Sequence, residues 1–96
     1  MTSQETISLL KKLQPEVNKK FKAKIIGIFG SAARNENNEL SDIDVLVEFE
    51  TGASLFDLSA LKIFLEETFN RKVDVVTKAA LRKEIEQNIT NDLIFV

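Results

Sequence analysis

Residues 28–49 read IFGSAARNENNELSDIDVLVEF, an apolar ending, a Gly30-Ser31 turn, a polar stretch, then a second apolar run headed by Asp42 and Asp44. The first apolar run begins upstream: Lys24 to Phe29 (KIIGIF) is β-branched and aromatic and stops at glycine, so it reads as a buried strand. Asn35 to Leu40 (NENNEL) is polar and turn-prone. Asp42 to Phe49 (DIDVLVEF) regains strand character through its Val, Leu and Ile residues.

Outward from this pair, Glu50, Thr51 and Gly52 form a break. Ser54 with Asp57 then caps a helix whose Leu55, Leu58, Leu61 and Leu65, with Phe64 and Phe69, are expected to face inward. Asn70-Arg71 ends that helix, Lys72 to Thr77 (KVDVVT) is a third strand, and Ala79 to Asn88 reads as a last helix with Leu81, Ile85 and Ile89 on one side. The closing Leu93 to Val96 is expected to be buried rather than an exposed docking strip. At the other end, Thr2 and Glu5 have capping-box spacing, and Ile7, Leu10, Leu13 and Val17 recur with helical periodicity. Pro15 is expected to break this helix and leave a short second one running to about Asn18 to Phe21. The alternation predicts an α/β fold, a small sheet of three or four strands covered by helices, with residues 1–96 as one domain.

Composition closes several chemistries. The chain has no His, Cys, Trp or Tyr, so neither a Ser-His-Asp nor a Cys-His site can be built, nor a zinc site of the usual nitrogen and sulfur type. Any metal must be a hard cation held by oxygen. Absence of cysteine fits a reducing compartment, and a cytoplasmic location is the expectation. A net charge of −2 argues against broad electrostatic capture of nucleic acid. With no long apolar run and no basic flank before one, neither a membrane span nor a signal peptide is expected.

Three carboxylates sit where strands should be apolar: Asp42, Asp44 and Asp74 are all flanked by Val, Ile or Leu. Strand side chains alternate faces, so Asp42 and Asp44 project from one face a short distance apart and repel unless a cation lies between them. Mg²⁺ or Mn²⁺ is the cation that an all-oxygen donor set selects. Asp74 completes the cluster if the third strand neighbours the second. The plainer alternative has Asp42 capping a turn, Asp44 facing solvent and Asp74 paired with a lysine. Gly30-Ser31 follows a buried strand and can open a helical turn whose first N–H groups bind an anion; the Ser31 hydroxyl adds a donor, and Arg34 stands one turn further on. Glu48 and Glu50 read as solvated strand-end charges, and Arg82 to Glu86 as a solvated helix face.

Gly30-Ser31, ten intervening residues, Asp42-x-Asp44 and a later strand-borne Asp74 resemble the nucleotidyltransferase superfamily of the DNA polymerase β type, and within it the one-domain minimal nucleotidyltransferases (MNT). The likeness runs from Lys24 to Val96 and includes SLFDL and RKVDVVTKAAL. It implies a mixed sheet and transfer of a nucleoside monophosphate from Mg-ATP to a hydroxyl. Asp42 and Asp44 would hold two Mg²⁺ ions, Asp74 would hold the ion nearer the acceptor and orient or deprotonate it, and Gly30, Ser31 and Arg34 would hold the triphosphate. MNT proteins are commonly antitoxin partners of HEPN-type ribonuclease toxins, and the resemblance implies AMPylation of a hydroxyl on such a toxin, a tyrosine above all. The phosphate loop departs from the usual Gly-Ser-Arg-Ala-Arg-Gly by Ala32 and Asn35, the latter a residue that tolerates left-handed backbone angles. Two rival functions remain: an antitoxin acting by occlusion alone, and a nucleotidyltransferase subunit acting on a small molecule or RNA, for which the acidic charge is unfavourable.

Overall fold

The structure, a computed structural model, describes residues 1–36, 42–80 and 91–96. Its elements are helix α1 (Ser3–Phe21), strand β1 (Ala23–Phe29), the short helix α2 (Gly30–Ala33), strand β2 (Ile43–Phe49), helix α3 (Leu55–Phe69), strand β3 (Val73–Thr77), a 3₁₀ turn over Lys78–Ala80, and strand β4 (Ile94–Phe95). They form a four-stranded sheet in the order β3-β2-β1-β4. β1 is antiparallel to both β2 and β4, and β2 is parallel to β3, so the sheet is mixed as expected. The expected helix over Ala79 to Asn88 and the face Arg82 to Glu86 lie outside the described residues from position 81 onward.

α1 starts on the expected capping box: Thr2 Oγ1 accepts from Glu5 N at 3.1 Å and Glu5 Oε1 accepts from Thr2 N at 3.0 Å. Pro15, however, does not break it, and no second helix begins there; α1 is continuous through the proline to Phe21. Pro15 is exposed, so the Lys11 carbonyl it deprives of a partner lies on the wetted side of the helix. The neighbouring Gln14 holds the helix in place. Its Nε2 donates to Ile25 O and its Oε1 accepts from Ile25 N, both at 2.8 Å, so one amide side chain pairs with β1 as a strand neighbour would. Lys22, with φ 54°, ends the helix in a left-handed turn.

Alternation sorts residues by face in β2 and β3, and in β1 a bulge between Ile25 and Gly27 brings Ile25 and Ile28 to the same side. Ile25 and Ile28 of β1, Ile43, Val45 and Val47 of β2, and Val73 of β3 are buried against Leu10 and Val17 of α1 and Leu61, Leu65 and Phe69 of α3. A Phe21–Phe64 ring contact at 5.2 Å joins the two helices. Asp57 accepts from Ser54 N at 2.8 Å, as the expected cap of α3 requires. Leu55 corrects the expectation: it is 79% exposed, because it is the first residue of α3, a full turn and more before Leu61, where the helix first buries a side chain, and it stands beside Phe56 at 85%. The chain end divides its residues. Ile94 and Val96 pack on the core while Phe95, whose side chain takes the opposite direction, is 68% exposed.

Candidate active site

The sheet brings the two halves of the motif together. Phe29, the last residue of β1, pairs with Asp44 on β2, so the chain leaves β1 into Gly30 beside the Asp44 carboxylate. Gly30 has φ 71°, and a methyl group there would fall on Asp44 Oδ2, so both the turn and the close approach need glycine. Gly30 and Ser31 open α2, whose start carries no side-chain cap, and by helix geometry its first N–H groups point outward. The loop closes through Glu36 N donating to Ser31 O at 2.9 Å.

On the other side of β2, parallel pairing sets Asp44 directly beside Asp74 on the adjacent strand, one ladder spacing away and on one face of the sheet. That face is the one α1 and α3 do not cover, since the flanking Ile43, Val45 and Val73 point into the core. Asp42 stands just before β2 rather than within it and is exposed; the strand begins at Ile43, whose N–H donates to Lys72 O at 3.0 Å. Burial raises the Asp44 carboxyl to about 6, reinforced by the negative charges of Asp74 and Asp42 and opposed by the positive charge of Arg34. Among the described residues no three acidic side chains are drawn together as closely as a coordinated ion would draw them. The donor set nonetheless fits a hard divalent cation: it is all carboxylate oxygen, and Asp44 carries the electrostatic penalty that a cation would relieve.

Arg34 follows α2 and is held by two acids. Its Nε donates to Glu36 at 3.0 Å and its Nη1 to Asp92 at 2.5 Å. Asn35 takes the left-handed conformation at φ 58°, and its Oδ1 accepts from Ser3 N at 2.7 Å, tying the loop to the start of α1. Sequence reasoning does not reach Asp92 or the Asn35 contact, because both are made across the fold and carry no local pattern. Glu48, expected as a solvated charge, is exposed and lies 3.5 Å from Lys78.

The sequence model of the family described as nucleotidyltransferase domain matches residues 10–96. The chain belongs to this family. A Methanocaldococcus jannaschii chain assigned as a protein adenylyltransferase is 38% identical to this nucleotidyltransferase domain over 96 residues, covering 99% of it and 98% of the relative. The protein adenylyltransferase MntA of Thermococcus cleftensis is 34% identical, covering 100% of this chain and 97% of the relative. Among solved structures, one described as a minimal nucleotidyltransferase superposes with a TM-score of 0.80 at 32% identity, covering 98% of this chain and 95% of that one. A toxin–antitoxin complex with AMP-PNP superposes at 0.70 with 21% identity, covering 99% and 72%, and shows a shared fold. The α/β nucleotidyltransferase fold expected from the motif is therefore the fold present. No helix among the described residues is long and apolar enough to cross a membrane.

Proposed function

We propose that this domain is an Mg-ATP-dependent adenylyltransferase that transfers AMP to a hydroxyl of a partner protein, the partner being a toxin of the HEPN type and the acceptor a tyrosine. The observation that carries the reading is the Asp44–Asp74 register pair on the face of the sheet turned away from α1 and α3, with Gly30-Ser31 against the Asp44 carboxylate. Relatives named as protein adenylyltransferases and a toxin–antitoxin neighbour bound to AMP-PNP support the choice of nucleotide and partner class.

In this reading Gly30 and Ser31 present backbone N–H groups and a hydroxyl to the triphosphate, and Arg34 adds a charge-assisted contact. Asp42, Asp44 and Asp74 would hold Mg²⁺, which when bound neutralises phosphate charge and lowers the barrier to in-line displacement. Asp74, on the edge strand β3, would orient the acceptor hydroxyl and receive its proton. Transfer forms the bond from acceptor oxygen to α-phosphorus and breaks the bond to pyrophosphate. The chain has no tyrosine, so a tyrosine acceptor lies on another chain.

Incubation with the toxin partner and Mg-ATP should add AMP, about 329 Da per transfer, to the partner and none to this chain. Asp74→Asn should keep the complex and lose the mass shift. A toxin silenced with no mass change, equally by wild type and Asp74→Asn, would replace this reading with inhibition by binding alone.

A further inference from the structure

We propose that Asp92 is a positioning residue that aims the Arg34 guanidinium at the phosphates of the nucleotide, an inference that rests on the reading of the site given above. β4 runs antiparallel to β1 with Gly27 opposite Phe95 and Ile28 opposite Ile94. Asp92 lies two residues before β4, so this pairing brings it near the end of β1, from which the chain runs through α2 to Arg34. Strand pairing thus delivers an acid from 58 residues away in sequence to the side chain that needs orienting.

There Asp92 Oδ2 accepts from Arg34 Nη1, while Glu36 Oε2 accepts from Nε. Two contacts from different elements fix both the position and the plane of a guanidinium whose long stem would otherwise sample many rotamers. Neither contact engages Nη2, so the fork retains donors for a phosphate oxygen. Of the two anchors Asp92 is the firmer: its side chain is 30% exposed against 64% for Glu36, so its bond is less screened by water. Asp92 acts through Arg34.

The experiment measures Mg-ATP binding by calorimetry and steady-state transfer to the partner, on the full chain. Asp92→Ala should weaken Mg-ATP binding about five- to tenfold and raise KM for ATP by the same factor, with kcat within about twofold of wild type. Asp92→Glu should recover most of the loss. In an Arg34→Ala background, Asp92→Ala should add less than about twofold, because the side chain it positions is gone. Asp92→Asn, which keeps the shape of the side chain, should fall between the two with an unchanged melting curve. Unchanged or tighter binding by Asp92→Ala would overturn the proposal, tighter binding meaning that Asp92 competes with phosphate for Arg34. A full second loss in the Arg34→Ala background would overturn it as well, since Asp92 would then act on the fold. A wild-type chain that binds no Mg-ATP would overturn the nucleotide site itself, and this proposal with it, before any variant is compared.

Discussion

Asp44 is the residue on which the site turns. Its neighbours Gly30, Asp74 and Asp42 come from three segments, and its carboxyl is raised to about 6 by burial first and like charges second. An unfolded aspartate titrates near 3.9, so between about pH 4 and pH 6 the native state holds a proton that the unfolded state has lost. Stability from this group therefore falls as pH rises through that window and is level above it. Asp44→Asn removes the penalty and should raise stability at neutral pH by roughly 1 kcal/mol, the shift being discounted for the water that still reaches the group. The same variant should lower transfer at least about a hundredfold, read by partner mass shift. Added Mg²⁺ should raise the melting temperature of wild type near pH 7 and do so less near about pH 5, where the ion must displace a proton. The Asp42→Asn, Asp44→Asn double variant should show neither gain. The i, i+2 aspartates and Gly30-Ser31 are legible in the sequence because spacing alone places them. That Asp74 lies beside Asp44 depends on strand order, and the hold of Asp92 on Arg34 depends on a strand returning from the far end of the chain, so neither is written locally.

Among the elements, α1 shows how a tertiary bond overrides a local signal. Proline in a helix interior costs about 3 kcal/mol, which is why the sequence predicts a break at Pro15. The intact helix is held by Val17 and Leu10 in the core and by the two Gln14 bonds to Ile25, where β4 does not reach along β1. Gln14→Ala leaves both main-chain groups of Ile25 without that partner and should destabilise the fold by about 1–3 kcal/mol in chemical denaturation. Pro15→Ala should stabilise it by about 1–2 kcal/mol, the regained helical bond being partly offset by a more flexible unfolded chain. The helix type of α1 and α3 is legible because periodicity and caps agree, as at Thr2 with Glu5 and Ser54 with Asp57, whereas β4 is too short to show a strand pattern. Leu55 misleads because its spacing matches the buried stripe while its place at the start of α3 puts it ahead of the residues that reach the core.

At the scale of the whole molecule the sheet is secured unevenly. β2 is paired along both edges, by β1 and by β3, whereas β4 joins through Gly27 and Ile28 with one further bond from Val96 N to Ile26 O. Proteins open in units of differing free energy, and a two-residue edge strand belongs to the low end of that range. Amide exchange should therefore separate the site into two protection classes. Val45, at the centre of the sheet, should exchange only on global unfolding, and Val96 through an opening that leaves β1, β2 and β3 paired. Equal protection at the two amides would show a single cooperative unit. With two classes, the Asp44–Asp74 pair endures in molecules that have momentarily released β4, and with it the Asp92 anchor of Arg34. The acidic half of the site would then be permanent furniture of the fold, while its basic half is renewed each time the last strand closes.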